Sequence, residues 1–325
     1  MELTAVREVF PLASAFRISR GAKTEAVVVR VSLTVDGHTG QGEATPYGRY
    51  GETVEGVLAE IDQIWRSLAV NPSRERLAAI AQPGAARNAI DCALWDLDAK
   101  RAGVRAWTLA GIERLDPVKT AYTISLDTAA AMAEAAKAAA RRPLLKLKIG
   151  SGEDLDKIAA VRMAAPRTRL VIDANEALDL DTLNRLVPDL VKLGVKMIEQ
   201  PLPASEDAAL ADYSGQIPLC ADESLHTRAE LDRLSTLYHA VNIKLDKTGG
   251  LTEGLALRAD ARARGMMIMA GCMVATSLSM APAMIIAQGA EVVDLDGPLL
   301  LAKDREPGLT YLGSMISPPL PQIWG

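Results

Sequence analysis

The chain has 325 residues, 49% of them hydrophobic and 24% charged, which excludes a disordered or fibrous protein and suits two domains, or one large barrel with an appendage. Thirty-six Lys and Arg against 41 Asp and Glu leave a net charge of −5, so nothing in the charge calls for nucleic acid or an anionic membrane as partner. Three cysteines (Cys92, Cys220, Cys272) and three histidines (His38, His226, His239) exclude a disulfide framework and limit zinc or histidine-based chemistry; with no apolar signal-like run at the start, a reducing, cytoplasmic location is expected.

In the first third of the chain, strand-like and helical segments do not alternate regularly. Ala26–Val35 is rich in β-branched residues and predicts a strand that ends at the turn dipeptide Asp36-Gly37. A second short strand is expected over Thr39–Ala44, then helices over Thr53–Leu68 and Ala85–Ala102. The second helix has Ile90, Ala93, Leu94 and Leu97 at helical spacing and stops at Gly103.

After residue 115 a rhythm begins. The apolar runs AYTISL, LLKLKIG, LVIDANE, MIEQPL, LCADES, VNIKLDK, MMIMAGC and VVDLDG alternate with helical patterns. Their end markers, Thr123, Lys148, Asp173, Glu199, Asp222, Lys244, Ala270 and Asp294, are spaced by 22 to 26 residues, the length of a βα unit. The expected fold class is therefore α/β, a (β/α)8-type barrel; an open doubly wound sheet is disfavoured because no Gly-rich first turn is present. The uncharged run Gly265–Ala290 is long enough to cross a bilayer, but Gly271, Thr276, Ser277, Ser279 and Pro282 interrupt it. It reads as a buried strand followed by a buried helix.

Three successive strand ends carry Asp173, Glu199 and Asp222. In a barrel such ends converge, and three converging carboxylates repel one another unless a cation joins them. Oxygen ligands without thiolate or imidazole favour a hard ion, Mg²⁺ first and Mn²⁺ second. Lys146 and Lys148 lie two apart on one strand and point the same way, with Lys244 across the ring. A substrate carboxylate on the metal would then have a lysine on each face of its α-carbon, a two-base proton-transfer site. Burial, the cation and mutual repulsion are expected to draw the lysine pKa values toward neutrality.

With these residues in place the sequence resembles the enolase superfamily, in particular the dipeptide epimerases of the muconate-lactonizing subgroup, along essentially its whole length. The resemblance implies an α+β capping domain over residues 1–115 with two lid loops, a barrel over 116–310, and a tail from Tyr311 to Gly325 packed back on the cap. It implies Lys148 and Lys244 as the catalytic pair, Asp173, Glu199 and Asp222 as ligands of Mg²⁺, and epimerisation through a metal-stabilised enediolate. It further implies that Asp294 and Asp296 bind the α-ammonium of a dipeptide, that Arg20 in FRISRGAKTE meets a glutamate side chain, and that Thr123 and Lys146 touch substrate. Tyr47, Arg49 and Tyr50 in PYGRYGET are placed near the substrate by the second lid. Arg17, Arg20 and Lys23 otherwise read as solvated loop charges. Ala275, where relatives acting on other dipeptides carry an acid, favours an acidic or neutral second residue.

The expected activity is epimerisation of L-Ala-D-Glu to L-Ala-L-Glu in murein peptide metabolism. The alternatives are N-acylamino acid racemisation or o-succinylbenzoate synthesis, a Schiff-base aldolase using Lys148 or Lys244, and a non-catalytic ligand-binding barrel. The sequence leaves a homo-oligomer open. Cys220 and Cys272 are read as packing residues.

Overall fold

The computed structural model describes residues 1–325. Strands β1 (Glu2–Ile18), β2 (Gly21–Val35) and β3 (His38–Ala44) form an antiparallel sheet in that order. β2 begins at Gly21, five residues before the stretch that reads as a strand, and β1 has no counterpart in the sequence reading. No residue of β1 is fully buried, so its alternation of half-buried and exposed positions carries too little apolar contrast to register. The first lid is thus the tip of a long hairpin rather than a loop.

Helices α1 (Val54–Leu68), α2 (Arg74–Ile80) and α3 (Ala85–Ala102) cover the sheet. Thr53 caps α1 by accepting from Gly56 N at 3.0 Å, and Gly103 ends α3 at φ 64°. β3 lies directly on α3 because two of its residues lack side chains. A Cβ on Gly42 would sit 2.1 Å from Ala89 O.

The second body begins with β4 (Val118–Lys119). Eight parallel strands follow: β5 (Tyr122–Ile124), β6 (Leu144–Lys148), β7 (Arg169–Asp173), β8 (Val195–Glu199), β9 (Leu219–Ala221), β10 (Ala240–Ile243), β11 (Met267–Gly271) and β12 (Val292–Asp294). They neighbour one another in chain order. Ala121 N donates to Val293 O at 2.7 Å and Leu295 N to Thr120 Oγ1 at 2.8 Å, which ties the last strand to the first and closes the ring. β13 (Tyr311–Leu312) and β14 (Met315–Ile316) pair with β4.

All eight strands coincide with the predicted runs. The helices are less even: long ones follow β5, β6, β7, β10 and β11, whereas short turns follow β8, β9 and β12. The uncharged stretch is β11 followed by the helix Ser277–Ile286, and no helix is long and apolar enough to cross a membrane.

Strand pleating sorts the side chains. Ala121, Leu144, Val171, Met197, Cys220, Ala240, Met269 and Val292 point inward and form a dry floor. Two residues further along every strand come Thr123, Lys146, Asp173, Glu199, Asp222, Asn242, Gly271 and Asp294, so the next layer is almost wholly polar. Leu145, Leu147, Leu170, Ile172, Ile198 and Ile243 point outward into the 59-residue core beneath the helices.

Buried polar contacts join the two bodies. Asp246 Oδ1 accepts from Thr45 N at 2.8 Å and Asn88 Nδ2 at 3.0 Å. Arg305 bridges Glu8 and Glu43 at 2.6 and 2.7 Å. The Trp324 indole is fully buried and donates to Cys92 O at 3.0 Å, which lays the last residues along α3.

Candidate active site

Barrel mouth and capping hairpin enclose a cavity of about 690 Å³, of a size that suits a small-molecule ligand. Of the residues singled out in the sequence, Arg20, Thr123, Lys146, Lys148, Asp222, Lys244, Asp294 and Asp296 line it, together with Tyr47 and Tyr50. Asp173 and Glu199 lie just beneath, with no exposed surface.

The polar layer is a ring of interleaved charges. Lys146 Nζ, 2% exposed, lies 3.0 Å from Asp173, 2.7 Å from Glu199 and 2.8 Å from Asp294. Lys148 Nζ donates to Asp173 Oδ2 at 2.5 Å and to Asn175 Oδ1 at 3.1 Å. Across the ring Lys244 Nζ donates to Asp222 Oδ2 at 2.7 Å, and Lys247 Nζ holds the other oxygen at 2.6 Å.

Burial works against the Asp222 carboxylate, but the Lys244 and Lys247 ammoniums outweigh it and hold the carboxyl well below its usual range. Asp173 is lowered in the same way by Lys148 and Lys146. Glu199 goes the other way: burial and the neighbouring Asp173 push it up to about 8. Burial also works against the lysine charges at Lys146 and Lys244, yet their carboxylate partners prevail and raise both well above the ordinary value. This reverses the expectation of lysines drawn toward neutrality; the carboxylate ring decides the sign for these two.

No set of three acidic, cysteine or histidine groups converges in coordinating geometry here, because the lysine ammoniums take up the oxygens. The chemistry of the donors nevertheless fits a hard divalent cation. Asp173, Glu199 and Asp222 offer only carboxylate oxygens from successive strands. Glu199 Oε2 is buried and, although 2.7 Å from Lys146 Nζ, accepts no properly directed hydrogen bond.

Beside this ring, Asp294 gives Oδ2 to Lys146, while its Oδ1 is buried without a partner. Asp296 Oδ2 accepts from Thr123 N at 2.6 Å, and burial with Asp294 nearby pushes its carboxyl up to about 7. The pair suits a cationic group. On the lid side Arg20 reaches Glu223 at 2.7 Å, Asn175 O at 2.7 Å, and Glu176 and Tyr47 each at 3.1 Å. Arg49 grips Glu176 with two bonds of 2.8 and 2.9 Å. Tyr50 packs edge-on against His226, ring centroids 4.7 Å apart.

Several site residues escaped the sequence reading. Asn242 donates to Glu199 Oε1 at 2.7 Å; its position two before Lys244 was the available signal. Lys247, Asn175, Glu176 and Glu223 gave none in isolation. Asn175, Glu176 and Gln200 take positive φ values of 43°, 69° and 35°, backbone strain of the kind found at functional sites. Cys220 belongs to the floor as expected, but Cys272 is only half-buried and lines the cavity.

A closed eight-stranded barrel with acids and lysines at its strand ends, capped by an α+β domain, defines an enolase-type protein. Residues 1–111 match the mandelate racemase / muconate lactonizing enzyme N-terminal domain, and residues 128–315 the enolase C-terminal domain-like family. The chain belongs to this enolase superfamily. It is 45% identical over 306 residues to the L-Ala-D/L-Glu epimerase of Escherichia coli K12, covering 94% of this chain and 95% of that one. It is 42% identical over 288 residues to an N-acetyl-D-glutamate racemase of Pseudoalteromonas, covering 88% and 91%. The crystal structure of an enolase family member from Agrobacterium tumefaciens with homology to dipeptide epimerases, with bound sodium and L-Ala-L-Glu, superimposes with a TM-score of 0.98 at 49% identity over 99% of both chains. A dipeptide epimerase from Methylococcus capsulatus, complexed with Mg and L-Arg-D-Lys, gives 0.87 at 30% identity over 98% of this chain and 96% of that one.

Proposed function

We propose that the protein epimerises dipeptides at the α-carbon of the second residue, with L-Ala-D-Glu and L-Ala-L-Glu as its best substrates. The observation that carries this reading is the pair Lys148 and Lys244: they stand at the end of β6 and just past the end of β10, four strands apart in a ring of eight, and open into the same cavity. An α-carbon held between them can lose its proton to one side, and the planar carbanion left behind can take a proton from the other. One lysine, neutral at the moment of reaction, accepts the α-proton on its Nζ. The opposite ammonium returns a proton to the other face and inverts the centre. Asp294 Oδ1 and Asp296 receive the dipeptide's α-ammonium. Thr123 N–H orients Asp296, and Lys146 fixes Asp294. Asp173, Glu199 and Asp222 would hold Mg²⁺, with Mn²⁺ as its substitute, to offset the charge that gathers on the substrate carboxylate as the α-proton leaves. The product role that fits is turnover of murein peptides in the cytoplasm.

The test is proton NMR of L-Ala-D-Glu with enzyme and Mg²⁺ in D₂O, with an EDTA control. The glutamate α-proton signal should vanish while the L,L diastereomer appears. Lys148→Ala and Lys244→Ala should each lower the rate by a factor of about 10² to 10⁴; epimerisation retained in either overturns the two-base scheme.

The 42% identity to an N-acetyl-D-glutamate racemase favours one second reading, racemisation of N-acylamino acids. Such substrates carry no ammonium. Asp294→Asn should therefore abolish turnover if the substrate is a dipeptide, and spare it if the substrate is N-acylated.

A further inference from the structure

The net charge of −5 gives no reason to expect an anionic partner, but it averages over two unlike ends of the barrel. The segments that lead into β5 to β8, residues 117–121, 139–144, 165–170 and 192–197, contain seven cations and no acid. Those that lead into β9 to β12, residues 214–219, 236–240, 264–267 and 288–292, carry only Arg264 and Glu291, ion-paired with Asp232 and Arg262. Neighbouring strands lie about 4.8 Å apart, so the seven stand along an arc of about 15 Å at the backbone, on the rim opposite the cavity.

Two of the seven are occupied within the fold. Lys192 pairs with Asp189 at 2.8 Å, and Arg142 donates to Gly313 O at 2.9 Å while its guanidinium lies 4.2 Å from the centre of the Tyr122 ring. The other five, Lys119, Arg141, Arg167, Arg169 and Lys196, are exposed and have no carboxylate partner. Asp116, just ahead of the first segment, is taken by Arg114. Like charges gathered without acids repel one another, so this rim adds nothing to the stability of the fold.

Exposed aliphatic side chains share the pole. Leu312, 81% exposed, sits at the turn between β13 and β14, which Arg142 holds to the rim. Met163, 83% exposed, and Val191 lie in the last turns of the helices Leu155–Ala164 and Leu180–Lys192, which lead to Arg167 and Lys196.

We propose that this pole docks on an anionic lipid bilayer, with the five free cations against the headgroups, Leu312 and Met163 entering the interface, and the cavity turned away from the surface. Cations mixed with exposed aliphatic groups are what such an interface takes up. Single-stranded nucleic acid would call for open aromatic rings to stack on, and the Tyr122 ring is covered by Arg142. The docking is independent of which substrate the cavity takes.

The experiment is co-sedimentation of the full chain with vesicles of phosphatidylglycerol and phosphatidylcholine in equal parts, against vesicles of phosphatidylcholine alone. The protein should pellet with the first and not the second, and about 1 M salt should release it, because screening then leaves a range of only about 3 Å. Arg167→Gln with Arg169→Gln should weaken binding by about tenfold, and adding Leu312→Ser should weaken it again. Arg66→Gln with Arg101→Gln removes the same charge from exposed positions of the capping body and should leave binding unchanged. No pelleting with the anionic vesicles overturns the proposal. So does binding that the Arg167 and Arg169 changes leave intact, or that the Arg66 and Arg101 changes weaken equally. Capture of an oligonucleotide with no affinity for the vesicles would assign the rim to nucleic acid and overturn it as well.

Discussion

A single residue at the joint between the two bodies shows how a buried carboxyl makes stability depend on pH. Asp246 lies two residues beyond Lys244, and its Oδ1 binds both Thr45 N and Asn88 Nδ2. Burial, with Glu52 and Glu43 nearby, pushes its carboxyl up to about 7. A folded-state pKa above the unfolded value, about 3.9, means that the folded chain holds this proton more tightly. Its contribution to stability is therefore full below about pH 4 and fades as pH rises toward 7. Asp246→Asn keeps an oxygen for both donors and cannot ionise. In urea titrations its stability relative to wild type should rise between pH 5 and pH 8 by on the order of 2 kcal/mol. A difference that stays flat across that range would mean the carboxylate ionises in place without penalty. The charged residues that sequence reasoning found were those embedded in apolar strands, where a Lys or Asp stands out. Asn242 did not stand out, because a neutral amide contrasts less, although it holds Glu199 in place. Glu176 and Glu223 lie just past strand ends, where acids are ordinary.

Elements were legible where burial is complete. The eight barrel strands sit between floor and helices, so their runs are continuously apolar and easily marked. β1 is half-exposed along its whole length and left no such run. The pairing of β3 with α3 depends on what is missing. Gly40 and Gly42 bring the strand against the helix backbone, and Cβ atoms there would each lie 2.1 Å from a helix carbonyl oxygen. Gly42→Ala should force strand and helix apart and cost about 1–3 kcal/mol, read as a lower Tm in calorimetry. Epimerase activity should fall less than stability, since the Lys148 and Lys244 strands belong to the other body. An unchanged Tm would show that the sheet slides freely over α3.

At the scale of the whole molecule, the cavity exists because residues far apart in the chain meet over the barrel mouth. Arg20 and Arg49 reach Glu176 across 156 and 127 positions of sequence, a closure that no local spacing encodes. The polar ring below has a different standing, since its members were each visible as strand ends and their convergence follows from closing the barrel. Each of Asp173, Glu199 and Asp222 has a lysine ammonium within 3.0 Å. Three bare acids in that place would cost several kcal/mol each to bury. With the lysines there, stripping the ion with EDTA should stop proton exchange completely yet lower Tm by only a few degrees, and adding Mg²⁺ back should restore the rate without a refolding delay. Unfolding on chelation would contradict this. Under the proposed Mg²⁺ dependence, the lysines that offset these acids would let the fold outlast metal scarcity as an idle but intact reserve.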